Sequence, residues 1–266
     1  MMAAQATSPR YRAVLTGAGG GIGAAIARRL APQADLLILV GRQRDRLEAL
    51  ADGLTGTQVQ IVCGDLCDAQ TVEAVAATAR DGRIDLLINN AGVSAFHAFE
   101  TQEPAAIRQL IDTNLLAPML LTRALLPQLG LAPAAQVINI GSVFGALGFP
   151  GFAAYGAAKA GLAGLSQSLR RELADTSIDV RHFSPRATRT AINSTAVDAM
   201  NRELGTTEDT PEIVADAFMR FLRGKAAQRT LGGKERFFVL INKLLPGLPD
   251  NAIRKQLMQI RKHLPR

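Results

Sequence analysis

The chain has 266 residues, of which 48% are hydrophobic, so it is long and apolar enough to bury a sizeable core. Its formal net charge is +7, yet residues 224–266 hold ten basic and two acidic side chains, whereas residues 1–223 hold twenty and twenty-one. We find no run of about 18 apolar residues, no secretory h-region and no nucleic-acid motif, which argues against a membrane span, secretion and a nucleic-acid partner.

Residues 1–9 are small and polar and predict a disordered lead-in. An apolar strand at 13–16 leads into a glycine loop over 17–23, which opens a helix at 24–30. Glycines at a tight turn (Gly17), at a close approach (Gly21) and at a helix–strand contact (Gly23) are typical of loops that hold a dinucleotide pyrophosphate. The N–H groups of the helix terminus also favour phosphate. A plain flexible loop is the alternative that this position disfavours.

The second strand, at 36–40, ends in Gly41 and Arg42, without the acidic residue that NAD-selective folds place against the adenosine ribose. A guanidinium at this position suits a 2′-phosphate, and Arg44 and Arg46 add to the local field. We therefore predict a preference for NADP(H). The competing interpretation is that Arg42 is a solvated surface charge.

Further strands are predicted at 59–63, 86–89, 137–141 and 178–183, and helices at 44–54, 71–79, 104–126, 155–174 and 211–222. This alternation predicts an α/β protein with a single doubly wound, Rossmann-like domain over residues 10–224, in which helices flank a central parallel sheet. The glycine loop and the segments after the later strands should meet at the carboxyl edge of that sheet, where such folds bind ligands.

Three residues near this edge can act on a carbonyl group. Tyr155 and Lys159 are four positions apart on one helix and share a face, so the ammonium is expected to lower the phenol pKa from about 10. Ser142 follows the strand at 137–141. Two hydroxyls that donate to one oxygen, with Tyr155 delivering a proton, predict a general acid with an oxyanion hole.

Four motifs stand together in the order and spacing of the short-chain dehydrogenase/reductase family, which the chain resembles over roughly residues 10–224. They are Thr16-Gly-x-x-x-Gly21-x-Gly23, Asn89-Asn-Ala-Gly92, Ser142 and Tyr155-x-x-x-Lys159. The resemblance implies an NAD(P)(H)-dependent oxidoreductase that interconverts a ketone or aldehyde and an alcohol. It also implies a homodimer or homotetramer, formed in the family by the helices at 104–126 and 155–174. A catalytically silent member that senses dinucleotide or scaffolds a complex is the alternative.

The resemblance assigns catalysis to Ser142, Tyr155, Lys159 and Asn114, the last as holder of a relay water, although a helical asparagine is more often a local hydrogen bonder. It assigns cofactor contacts to Gly17, Gly19, Gly20, Gly21, Ile22, Gly23, Arg42, Asp65, Leu66, Asn90, Ala91, Gly92, Tyr155, Lys159, Thr188 and Thr190. Asp65 is expected at the adenine amine, and Thr188 at the nicotinamide carboxamide.

Two departures from the family pattern bear on specificity. Gly20 stands where NADP-preferring members often carry a second basic residue, so NAD(H) remains an alternative cofactor. Arg186 stands where the family usually has glycine, which offers a guanidinium to an acidic substrate. The phenylalanine-rich segments 96–99 and 143–152 instead favour an apolar substrate, and the polar segment 188–205 is the predicted lid.

The basic extension, residues 225–266, begins with a largely apolar run at 236–246. A helix from Pro249 then places four apolar residues on one face: Ile253, Leu257, Ile260 and Leu264. We expect the extension to pack on its own or a partner subunit. A peripheral contact with an anionic membrane is an alternative that we do not favour, and nucleic acid ranks last.

The chain contains two cysteines, Cys63 and Cys67, and three scattered histidines. These are too few and too dispersed for a metal site, so none is expected. Free thiols are the simpler interpretation, and they favour a cytoplasmic protein.

Overall fold

The computed structural model describes residues 10–265 and has a seven-stranded parallel sheet in the order β3-β2-β1-β4-β5-β6-β7. The strands are β1 Tyr11–Thr16, β2 Ala34–Gly41, β3 Gln58–Cys63, β4 Leu86–Asn89, β5 Ala135–Ile140, β6 Ile178–Ser184 and β7 Gln228–Thr230. Strand order reverses between β1 and β4, which opens a crevice at their carboxyl ends. The predicted fold class is confirmed, whereas the predicted lead-in at 1–9 lies outside the described residues.

Helices cover both faces of the sheet. They are α1 Gly21–Leu30, α2 Arg44–Asp52, α3 Ala69–Gly82, α4 Pro104–Ile111, α5 Ala117–Leu129, α6 Ala153–Glu172, α7 Thr195–Glu203, α8 Pro211–Arg223, α9 Gly233–Leu244 and α10 Gly247–His263. Successive residues of β1 point to opposite faces. Leu15 therefore joins the core beneath α1 and α8, and Val14 joins the core beneath α3 and α5.

Two elements differ from the sequence predictions. The sheet continues past residue 224, because the short edge strand β7 pairs with β6 although its Gln-Arg-Thr sequence shows no apolar pattern. The predicted lid at 188–205 contains a helix, α7, whose first turn is capped by Ser194: its hydroxyl accepts from the Val197 amide at 3.3 Å. Buried Val197 and Met200 give this helix an apolar inner side.

A buried arginine in β6 fixes the end of α8. The guanidinium of Arg181 donates to the carbonyl oxygens of Phe221, Leu222 and Ala226 at 2.6, 3.1 and 3.0 Å, and it lies 4.1 Å from the centroid of the Phe221 ring. A cation at the carboxyl end of a helix satisfies unpaired carbonyls and the helix dipole. This contact positions the chain for β7.

The basic extension divides into two differently packed helices. Helix α10 packs on α7, and its Ile260 is fully buried in a cluster with Phe96, Phe152 and Met200. Helix α9 instead exposes much of its apolar surface, including Phe237. No helix within residues 10–265 combines the length and apolarity needed to cross a bilayer.

Candidate active site

A cavity of about 640 Å³ occupies the crevice at the carboxyl edge of the sheet. Fourteen of the predicted site residues line it: Gly17, Gly19, Gly20, Gly21, Ile22, Arg42, Asn90, Gly92, Asn114, Ser142, Tyr155, Lys159, Thr188 and Thr190. The other four, Gly23, Asp65, Leu66 and Ala91, do not line it. Segments far apart in the sequence therefore converge on one site.

The glycine loop has no room for side chains at two positions. Gly17 has a φ of 65°, and a Cβ there would lie 2.8 Å from the Cα of Ala91. A Cβ on Gly23 would lie 2.2 Å from the Gly17 carbonyl oxygen. In the described chain no side chain caps the start of α1, so first-turn N–H groups face the cavity without such a partner. This donor set is chemically suited to phosphate groups.

Two cations lie beside this loop, one directly after β2 and one in the first turn of α2. Arg42 and Arg46 both line the cavity. The Arg42 Nη1 lies 4.0 Å from the Asp65 Oδ2, and both side chains are substantially exposed, so this is a weak pair that water screens. The guanidinium therefore remains available to an anion. Asp65 also accepts from the Cys67 amide at 3.0 Å, and it does not line the cavity.

Thr16 joins the glycine loop to the segment after β4. Its hydroxyl oxygen accepts from the amides of Asn90 and Ala91, each at 2.9 Å. The Asn90 side chain donates back to the carbonyl oxygens of Thr16 and Gly17. Asn90 and Ala91 therefore shape the turn, and Asn90 alone of the two lines the cavity. Leu66 is buried in the core beneath α3.

The predicted helix at 104–126 is interrupted at Asn114 by a π-helical turn, Asp112–Leu116, between α4 and α5. Such turns insert an extra residue into a helix and are frequent at functional sites. The Asn114 amide exchanges two hydrogen bonds with the Val93 backbone, at 3.0 and 2.8 Å. Asn114 is thus a buried local hydrogen bonder that also lines the cavity.

Ser142, Tyr155 and Lys159 share the wall next to α6. Lys159 is buried, its Nζ donates to the Ile140 carbonyl at 2.9 Å, and it lies 5.9 Å from the centroid of the Tyr155 ring. The Ser142 side chain stabilises the turn that follows it, because its Oγ accepts from the Phe144 amide at 3.1 Å.

Burial shifts the pKa values of Lys159 and Tyr155. It lowers the pKa of Lys159 to about 8. It also raises the pKa of Tyr155, and the hydrogen bond with Ser142 opposes that rise only in part. The direction is opposite to the predicted lowering of the Tyr155 pKa, because burial is the largest influence on the phenol. A phenol that stays protonated is suited to donate a proton.

A buried polar chain beneath the wall was not apparent from the sequence. Asn139 accepts from Asn89 at 2.8 Å and donates to Ser166 at 2.9 Å, and Ser166 contacts the His182 Nδ1 at 3.2 Å. Burial, aided by the Lys159 charge, lowers the pKa of His182 to about 4. The imidazole is therefore neutral at physiological pH, so it places no second positive charge near Lys159.

Arg186 does not present a free charge to the cavity. Its Nε and Nη2 bind both carboxylate oxygens of the buried Asp209, at 2.9 and 2.7 Å, and its Nη1 lies 3.8 Å from Glu235. Arg186 lines the cavity, but this pairing already compensates its charge, which argues against the predicted contact with an acidic substrate. Among described non-glycine residues only Arg83 has a positive φ, so Arg186 also replaces glycine without backbone strain.

The end of the cavity beyond Tyr155 is apolar. The rings of Phe144, Phe149 and Phe152 line it, with centroids 5.0 Å apart for the first pair and 4.9 Å for Phe144 and Phe152. The sequence segments predicted to border the substrate divide accordingly. Phe96 is buried behind Phe152, whereas Phe99 is exposed, and His97 lines a separate small cavity. Helix α7 adds its two buried apolar residues to the same end.

Similarity to known proteins agrees with this architecture. The sulfoacetaldehyde reductase of Chromohalobacter salexigens is 36% identical over 214 residues, which cover 76% of this chain and 84% of that protein. A short-chain dehydrogenase from Sphingobium yanoikuyae, solved in complex with NADPH, is 32% identical with a TM-score of 0.75, covering 94% and 95% of the two chains. The bulky-bulky ketone specific alcohol dehydrogenase of Comamonas testosteroni is 31% identical with a TM-score of 0.75, covering 91% and 94%.

The family description "short chain dehydrogenase" matches residues 12–201, a span that includes the glycine loop, Ser142, Tyr155, Lys159 and all but the last two residues of helix α7. That span is well over half of the chain. The protein therefore belongs to the short-chain dehydrogenase family.

Proposed function

We propose that the protein is an NADPH-dependent reductase of bulky, apolar ketones or aldehydes. The observation that carries this proposal is the position of Ser142 and Tyr155, whose hydroxyls line the cavity between its apolar end and the buried Lys159. Solved relatives that bind NADPH or act on bulky ketones lend support.

A dinucleotide held by the glycine loop would supply a hydride to the carbonyl carbon. The hydroxyls of Ser142 and Tyr155 donate to the carbonyl oxygen and stabilise the negative charge that develops there. Tyr155 then transfers its proton to that oxygen, and its raised pKa keeps the proton available at neutral pH. Lys159 places a positive charge behind the phenol as the phenolate forms. Asn114, held by Val93, lines the same wall and is proposed to orient a water.

The preference for NADP(H) rests on Arg42 and Arg46, which flank the glycine loop without an acidic residue at the end of β2. A fork-shaped guanidinium pairs well with a terminal phosphate. The weak contact of Arg42 with Asp65 leaves NAD(H) as the alternative. The cofactor contacts expected of Asp65, Leu66, Ala91, Thr188 and Thr190 remain part of this proposal. A cytoplasmic location stays a prediction.

The choice of substrate follows from charge and shape. A sulfonate substrate like that in the name of the Chromohalobacter relative would need a free cation, and Arg186 is paired with Asp209. The aromatic end of the cavity instead matches an apolar group. A silent, dinucleotide-sensing protein is the second candidate, which the complete set of hydroxyls and the buried lysine disfavour.

A homodimer or homotetramer is also proposed. Leu116, Met119 and Leu120 form an exposed apolar strip on the π turn and α5. Helix α6 carries small residues such as Gly164, where an added Cβ would meet nothing within 4 Å. Exposed apolar side chains, together with a helix surface of small residues that another helix can approach closely, favour helix–helix contact between subunits.

Replacing Tyr155 by phenylalanine should lower the rate of ketone reduction by about a hundredfold or more, because a positioned acid contributes roughly that much. The NADPH dissociation constant should stay within about twofold, since the ring still fills its place. Steady-state turnover and fluorescence titration measure the two quantities. Tyr11→Phe is the matched control, because Tyr11 is the other tyrosine and lies outside the cavity. Retention of more than about a tenth of the rate in Tyr155→Phe would contradict the assigned proton donor.

Reductive kcat/KM should be level at neutral pH and fall as the pH rises through about 8, where Lys159 loses its proton. The direction follows from the lowered pKa: above it the ammonium no longer supports the phenolate that forms as Tyr155 gives up its proton. The measurement is a pH–rate profile with a ketone. In Lys159→Arg the charge persists, so any remaining activity should lack this fall. A wild-type profile that stays level until the ordinary lysine pKa of 10.5 would show that burial does not control this group.

Replacing Arg42 by alanine should weaken NADPH binding by about tenfold or more, because a charge-assisted phosphate contact is lost. NADH binding should change little. Calorimetric titration of both nucleotides measures the preference directly. Arg44→Ala is the matched control, since Arg44 lies outside the cavity wall and pairs with Glu48 at 3.4 Å. Tighter binding of NADH than NADPH by the unmodified protein would refute the cofactor assignment.

A further inference from the structure

The inward side of helix α9 carries two polar residues that contact the rest of the protein, and Val239 between them is also half-buried. Glu235 and Asn242 are seven residues apart and lie on one face of the helix. Asn242 donates to the Ala146 carbonyl at 3.0 Å, and Glu235 lies 3.8 Å from Arg186 and lines the cavity. The helix is therefore laid across the mouth of the cavity, with one end against the Arg186 loop and the other against the loop after β5.

The opposite side of α9 is apolar and faces away from the protein. Phe237, Leu240 and Leu244 follow the three-and-four spacing of one helical face and are 61%, 53% and 67% exposed. Leu245 and Leu248 extend the apolar surface into α10 and are also more than half exposed. We call these five residues the α9 face. Apolar surface of this extent is uncommon on a monomer unless something binds it.

Basic residues flank the α9 face. Arg236 and Lys243 lie along one side of the apolar stripe, and Lys234 lies on the other. Within residues 10–265 none of these three forms an ion pair. The whole extension has ten basic and two acidic residues, and one of the acids, Glu235, faces Arg186. The charge around the stripe is therefore strongly positive and uncompensated.

We propose that the α9 face docks on the surface of an anionic phospholipid bilayer, the alternative that the sequence alone did not favour and that the exposed apolar residues of α9 now support. An apolar stripe between cations matches such a surface, where apolar side chains enter the acyl boundary and cations meet lipid phosphates. A second copy of the same face is less suitable, because it would bring like charges together. Docking would place the bilayer against the outer side of α9, the helix that borders the cavity through Glu235. The proposal concerns binding alone, so it does not depend on the proposed reaction.

The test is sedimentation of the full chain with vesicles of phosphatidylcholine, and with vesicles of equimolar phosphatidylcholine and phosphatidylglycerol. We expect at least about tenfold stronger partitioning to the anionic vesicles, and a decrease as salt rises. The triple variant Phe237→Ser/Leu240→Ser/Leu244→Ser should lose about tenfold or more of this binding, as should Arg236→Gln/Lys243→Gln.

Matched controls separate the α9 face from general surface effects. Leu131→Ser removes a side chain that is 80% exposed at the end of α5, and Arg80→Gln/Arg83→Gln removes two exposed cations near α3. Both should bind vesicles as the unmodified protein does. Thermal unfolding checks that each variant folds, and the lipid and salt comparisons on the unmodified chain decide the matter if one does not.

Three results would overturn the proposal. They are the absence of binding to anionic vesicles, equal binding to neutral and anionic vesicles, and equal loss of binding in the control variants. Light scattering identifies the main competing occupant. If the triple serine variant has a smaller assembly mass and the unmodified protein does not bind vesicles, the α9 face is an interface between copies of the chain.

Discussion

The contact between Thr16 and the segment after β4 is the constraint on which the site depends. Strand order reverses between β1 and β4, which pair in parallel, and the crevice lies at their carboxyl ends. The Thr16 hydroxyl accepts from the amides of Asn90 and Ala91, which follow β4, and the Asn90 side chain donates to the Thr16 carbonyl oxygen at the start of the glycine loop. These bonds fix the loop beside α1 and face its first-turn N–H groups towards the cavity. The cation of Arg42 and the wall of α6 then border one continuous space.

Burial gives that space its chemical character. Lys159 is buried and Tyr155 is half-buried beside it, and burial shifts the pKa of each towards the uncharged form. A phenol that keeps its proton and a lysine whose pKa lies near the physiological range together favour proton delivery to an oxygen. The neutral His182 beneath them adds no competing charge. The same desolvation makes hydrogen bonds to a developing oxyanion stronger than they would be in water.

The sequence was sufficient to predict features that depend on the spacing of residues close together in the chain. The glycine loop, the four-residue step from Tyr155 to Lys159 and the strand preceding Ser142 are all readable from neighbours in the chain. Reasoning from the sequence failed where distant residues decide. The pairing of Arg186 with Asp209, the effect of burial on Tyr155 and the capping of α8 by Arg181 each require the folded chain. The edge strand β7 has no apolar pattern, and only its pairing with β6 identifies it.

The central claim is that the protein reduces a carbonyl group with Ser142, Tyr155 and Lys159, and that it does not merely bind a dinucleotide. It is tested most directly by incubating the protein with NADPH deuterated at the transferable C4 position and a panel of bulky apolar ketones. The account predicts an alcohol product with deuterium on the former carbonyl carbon, detected by mass spectrometry. Tight nucleotide binding without deuterium transfer to any ketone or aldehyde of the panel would contradict it and would favour a silent, dinucleotide-sensing protein.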